Sequence, residues 1–179
     1  FNFRGVGASE GQHDRGVGEL ADALAVIDWT RRYFECDALW LGGFSFGAAT
    51  ALQAAARGAR PARLVTIAPP VGRIITEPVP RPDCPWLIVQ GDQDELIDIE
   101  AVRSWARSFA PEPELTVIAG AEHFFHGRLG ELRSAILAFL PFSHVYGLMI
   151  QGICVRGGLL LGHESEMSEE ALSEAFLSF

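Results

Sequence analysis

Ala38-Leu39-Trp40-Leu41-Gly42-Gly43-Phe44-Ser45-Phe46-Gly47-Ala48-Ala49-Thr50-Ala51 decides the fold of this chain. An apolar run at residues 38–41 ends in glycine, and a stretch of small residues begins directly after Gly47. The order is strand, sharp turn, helix. Glycines flank the serine at the spacing G-x-S-x-G because the turn is too tight for Cβ atoms, and the strained bend holds the hydroxyl clear of the sheet. That is the pattern of a nucleophile elbow, with Ser45 as the candidate nucleophile.

A serine hydroxyl attacks poorly at neutral pH, so the elbow predicts a general base and a carboxylate that orients the base. Both types of residue occur downstream, each at the end of an apolar run. Trp86-Leu87-Ile88-Val89 leads into Gln90-Gly91-Asp92-Gln93-Asp94-Glu95-Leu96, with Asp98 shortly after, which puts acids at the mouth of a buried strand. Leu115-Thr116-Val117-Ile118 leads into Ala119-Gly120-Ala121-Glu122-His123, with His126 three residues on. The nucleophile, acid and histidine therefore follow one another in the order Ser, acid, His.

With these residues the chain resembles the α/β-hydrolase superfamily over residues 1–140. The elbow, the Gly91-Asp92-Gln93-Asp94 turn and the Gly120-Ala121-Glu122-His123 turn each follow a strand, as in that family. Phe1-Asn2-Phe3-Arg4-Gly5-Val6-Gly7-Ala8-Ser9 is similar to the exit of the family's fourth strand, and the runs at residues 1–11 and 120–128 resemble small bacterial-type members without a large lid. The resemblance implies an α/β-hydrolase fold, a mostly parallel sheet with helices on both faces. It implies Ser45 as nucleophile, Asp94 at the family's G-x-x-D position as acid, and His123 as base. Asp98 is then expected to cap the helix that starts at Ile99, His126 to flank the pocket, and His13 to have no catalytic part.

The same resemblance implies that the family's first strands would lie upstream of Phe1, so the chain reads as amino-terminally truncated. The strand around residues 1–4 is expected to lack its neighbour. One oxyanion donor is expected from the backbone N–H of Phe46, while the other belongs to a loop after the third strand, also upstream. The implied activity is serine hydrolysis of an ester, thioester or amide through an acyl-enzyme, with small soluble carboxylic esters as substrates. The alternative is a catalytically impaired fragment, or a binding remnant that keeps the fold without the chemistry.

Composition narrows the partners. A chain of 179 residues with 49% hydrophobic residues and mean hydropathy +0.18 has enough apolar material for one buried parallel sheet. A formal net charge of −9 argues against nucleic acid, which needs a basic face. Cys36, Cys84 and Cys154 are too scattered for a disulfide framework or metal-ligand spacing, which suits reduced thiols in the cytoplasm. No signal peptide or membrane span is visible. Gly5-Val6-Gly7-Ala8-Ser9-Glu10-Gly11 has Glu10 where a dinucleotide fingerprint needs its third glycine. The reading is thus a small-molecule substrate, no cofactor and no metal, with oligomeric state open.

Further along, helical spacing marks residues 18–34, 99–109 and 129–140, and Leu64-Val65-Thr66-Ile67 marks another strand. Pro69, Pro70, Pro78, Pro80, Pro82 and Pro85 predict an extended connection where larger hydrolases insert lids, and hence an open cleft. Residues 141–179 depart from the hydrolase pattern and form an unassigned extension. Residues 145–161 show neither helical nor alternating periodicity, and residues 167–179 read as a short acidic helix. Three readings of this tail stand: a poorly ordered extension, a frameshifted end, or a segment whose apolar stretch covers an open sheet edge.

Overall fold

The computed structural model describes residues 1–34 and 38–140, together with the backbone of two short strands at 148–151 and 159–164. Helix α1 (Val17–Phe34) leads to strand β1 (Leu39–Phe44), which turns at Ser45 into α2 (Phe46–Ala54). Strands β2 (Arg63–Ile67) and β3 (Trp86–Gly91) follow, then α3 (Ile99–Arg107), β4 (Glu114–Ile118) and α4 (Leu129–Phe139). β1, β2, β3 and β4 pair in parallel in that order, which is the expected sheet.

Side chains alternate across this sheet and feed two cores. Leu39, Leu41, Leu64, Trp86 and Ile88 pack with α1, α2 and α3, whereas Trp40, Val65, Ile67, Leu87 and Val89 pack with α4. Helices therefore cover both faces, and the strands read as nearly continuous apolar runs because neither face meets water. The small residues of α2 allow close approach behind the elbow: Ala48, Ala51, Leu52 and Ala54 are fully enclosed. Trp86 anchors the α3 side, edge-on to Trp105 and Phe109, with its indole N–H donated to Thr66 Oγ1 at 2.9 Å. The proline-rich residues 69–85 form no helix and carry one isolated bridge, Val71 to Ile75, in keeping with an extended connection.

Two expectations change. Residues 1–3 join no ladder, so the strand expected around residues 1–4 is not formed. Phe3 instead buries its ring against Phe46 at 5.3 Å, and Arg4 forks onto Asp22 of α1 with two bonds of 2.6 Å. In the tail, β5 (Leu148–Gln151) and β6 (Leu159–Glu164) form an antiparallel ladder despite the missing alternation, and β6 also pairs antiparallel with β1, Leu161 opposite Leu41. Of the three readings of the tail, this pairing matches edge cover, since β6 lies along β1 and hydrogen-bonds to it. The helix expected at residues 167–179, as well as Cys36 and Cys154, lie outside the described residues.

The start of α1 is held from inside. Glu19, the third helical residue, is fully buried and reaches back to accept N–H bonds from Gly16 at 2.8 Å and Asp14 at 2.7 Å, with His13 Nδ1 at 2.7 Å. Burial alone would raise its pKa, but the backbone donors and the His13 charge outweigh that and hold the carboxyl below its ordinary value. Such a group contributes stability above its unfolded pKa and loses it as pH falls through the folded one. Glu19→Gln is therefore expected to cost about 1–3 kcal/mol at pH 7. In urea unfolding the gap to wild type should narrow as pH drops below the carboxylate range.

Candidate active site

Parallel strands deliver their carboxyl ends, and the loops that follow, to one edge of the sheet, where ligands of open α/β sheets bind. Ser45 leaves β1 at that edge, Asp94 follows β3 and His123 follows β4. Ser45 holds φ 50° and ψ −113°, a conformation that side chains with a Cβ rarely adopt. Its N–H is tied to Ile67 O at 2.8 Å, and its carbonyl accepts the N–H of Ala48 at 2.9 Å, so both sides of the bend are anchored.

The three predicted side chains come together. Ser45 Oγ lies 3.0 Å from His123 Nε2, and His123 Nδ1 lies 2.8 Å from Asp94 Oδ2. Asp94 and His123 side chains are 0% and 3% exposed, so the pair is screened from water. Asp94 is saturated with donors: Oδ1 accepts from Leu96 N–H at 2.8 Å and Ile97 N–H at 2.9 Å, and Oδ2 also accepts from Gln90 Nε2 at 2.7 Å. Burial pushes its pKa up, yet the bonds from His123, Leu96, Ile97 and Gln90 prevail and hold it below the ordinary aspartate value. An ionised Asp94 only accepts, so Nδ1 carries the proton and Nε2 is left as the acceptor for the Ser45 hydroxyl.

His123 must reach back from β4 across the end of β3, and the backbone makes room for it. A Cβ on Gly91 would overlap the Ala121 carbonyl and sit 3.1 Å from Ala121 Cβ, so the histidine loop crosses directly over this glycine. Ala121 O then accepts Gln93 N–H at 3.0 Å. Asp92 Oδ1 accepts Gly120 N–H at 2.6 Å and Glu95 Oε2 accepts His123 N–H at 3.2 Å, so the acid turn grips the histidine turn at three points. These roles of Asp92, Glu95 and Gln90 escape sequence reading. The available signal is Gln90 itself, a polar residue directly after the apolar run Trp86-Leu87-Ile88-Val89.

The other candidates fall elsewhere. Asp98 Oδ1 accepts Glu100 N–H at 3.0 Å and caps α3 as expected. His126 is exposed and lies 3.6 Å from Glu122. His13 belongs to the Glu19 cluster and touches the Phe46 ring at 5.5 Å. Phe46 itself opens α2, where backbone N–H groups lack intrahelical partners. Phe125 is buried in the second core, whereas Phe44 and Phe124 both lie 5.2 Å from the His123 ring, with Phe124 44% exposed. Among the described residues, no cluster of His, Cys, Asp and Glu could hold a metal ion, and no helix is long and apolar enough to cross a membrane.

The fold has counterparts among known proteins. An α/β serine hydrolase homologue from Coxiella burnetii is 43% identical, with 78% of this chain matched to 67% of that one at a TM-score of 0.73. The chain belongs to the α/β-hydrolase superfamily. A lidless α/β serine hydrolase from Xanthomonas campestris is 44% identical to this α/β-hydrolase, with coverage of 77% and 62% and a TM-score of 0.72. Residues 1–75 match the model of the X-Pro dipeptidyl-peptidase (S15) family. An uncharacterized protein of Rickettsia prowazekii, RP471, is 34% identical over 152 residues. This α/β-hydrolase chain spans 63% of the length of that curated relative and 62% of the Xanthomonas structure.

Proposed function

We propose that the protein is a serine hydrolase that cleaves an ester, thioester or amide bond through an acyl-enzyme, with small soluble carboxylic esters as its substrates. The observation that carries this reading is the unbroken relay from Ser45 Oγ to His123 Nε2 and from His123 Nδ1 to Asp94 Oδ2, at 3.0 and 2.8 Å. Ser45 attacks the acyl carbonyl while His123 takes its proton, and Asp94 holds the tautomer and stabilises the imidazolium. His123 returns the proton to the leaving group, and water then repeats the sequence on the acyl-enzyme. Phe46 N–H stabilises the tetrahedral oxyanion. Phe44 and the half-exposed Phe124 offer an apolar wall for substrate carbon beside the histidine. Residues 1–140 carry this site in the reading, residues 141–179 form the extension, and the protein works in the cytoplasm.

The test is a fluorophosphonate, which phosphorylates only an activated serine. Intact-mass and peptide analysis should find one adduct, on the peptide containing Ser45; no adduct, or one on another residue, would end the reading. The antiparallel pairing of β6 with β1 favours a second reading for this chain taken alone. If β6 takes the place beside β1 from which a second oxyanion donor would reach Ser45, Phe46 N–H acts alone, at a cost of roughly a hundred- to a thousandfold in turnover. In that case labelling at Ser45 persists while hydrolysis of p-nitrophenyl esters is slow.

A further inference from the structure

Gln90 occupies the last apolar-facing position of β3, directly after Leu87, Ile88 and Val89, and its side chain is as buried as theirs. Its amide is poorly served there. Oε1 is buried with no hydrogen-bond partner among the described residues, and Nε2 meets Gly91 O only at 3.4 Å. The one short bond it makes is from Nε2 to Asp94 Oδ2, at 2.7 Å. That oxygen is the one His123 Nδ1 addresses at 2.8 Å. An amide oxygen turned toward an ionised carboxylate would be repelled, so the nitrogen faces Asp94 and the carbonyl stays orphaned. A methionine or leucine would fill the same core space without burying an unsatisfied carbonyl, so packing does not account for a glutamine here.

We propose that Gln90 is a positioning residue for the reaction, clamping Asp94 Oδ2 so that this oxygen stays aimed at His123 Nδ1. This inference rests on the hydrolytic reading of Ser45. Leu96 and Ile97 N–H groups hold Oδ1, and Gln90 supplies the matching restraint on Oδ2, leaving the carboxylate no rotation about its Cβ–Cγ bond. Gln90 also shares the charge of Oδ2 with His123, which tempers the strength of the imidazole bond. A local loss of core stability is thus exchanged for a fixed carboxylate, the kind of conflict found at functional positions.

The test compares wild type with Gln90→Met, which keeps length and volume and removes the donor. On p-nitrophenyl acetate, kcat should fall ten- to hundredfold with KM unchanged, the fold-change expected for one lost hydrogen bond to a charged group. Melting temperature should stay level or rise. The low-field proton resonance of His123 Nδ1–H should move, because Oδ2 loses a competing donor. An unmoved resonance, or a kcat loss that merely follows a lower melting temperature, would overturn the proposal. If Gln90→Met does not fold, Gln90→Glu sets a carboxyl against Asp94 and must displace the same resonance. The resonance needs no turnover: failure of fluorophosphonate labelling in wild type would sink the hydrolytic reading, while the spectrum still decides Gln90.

Discussion

Asp94→Asn is expected to lower turnover on an activated ester by on the order of ten-thousandfold while leaving the fold in place. The direction follows from donor counting. Oδ1 of Asp94 accepts two backbone N–H groups, from Leu96 and Ile97, and these cannot turn away. The amide oxygen of the asparagine must therefore stay on that side, which puts its NH2 where Oδ2 now faces His123. Two donors would then meet, so His123 adopts the other tautomer, with its proton on Nε2 toward Ser45. The base is already protonated and cannot take the serine proton. Gln90 can meanwhile turn its orphaned Oε1 toward the new NH2, which lets the variant fold without a buried clash. Ester hydrolysis and melting temperature measured on the same preparation check both halves. A loss below tenfold would remove Asp94 from the relay.

Gly43→Ala should produce the largest stability loss of any single methyl addition in the elbow. A Cβ there would overlap the Gly47 carbonyl and lie 2.6 Å from Ala48 N. Both neighbours are backbone in the first turn of α2, so no side chain can rotate to make room. The bend must open, and with it the anchors from Ser45 N–H to Ile67 O and from Ala48 N–H to Ser45 O. More than about 4 kcal/mol is expected, in the range of the most damaging core substitutions. That would lower the melting temperature by roughly 10 °C or more for a chain of this size. Gly130→Ala is the matched control. Gly130 sits in α4 with no neighbouring atom among the described residues within 4 Å of its would-be Cβ, so alanine there should be neutral or stabilise by up to about 1 kcal/mol. Equal melting temperatures for the two variants would refute the close-approach account of the elbow.

Local pattern carried the parallel strands, because burial on both faces leaves apolar runs such as Trp86-Leu87-Ile88-Val89 that composition alone displays. It carried the elbow as well, since a turn that excludes Cβ atoms must be written in glycine. It missed β5 and β6, where nothing alternates and the ladder depends on a sheet edge far away in the chain. It also suggested a strand at residues 1–4, where Phe3 packs on Phe46 and Arg4 on Asp22 instead.

For the site, residue pattern offered four acids and two histidines, and resemblance to the family ranked Asp94 and His123 first. Tertiary structure separates them by direction. Asp92 and Glu95 spend their carboxylates on the backbone N–H groups of Gly120 and His123, Asp98 turns to its own helix, and Asp94 reaches the imidazole. Gln90 gained its partner the same way. Strand, turn and helix identity are set by neighbours a few residues apart and so leave a periodic trace. Contacts across 28 or 29 residues, made by one loop crossing over Gly91, depend on where two strands end in space, and no local periodicity records that.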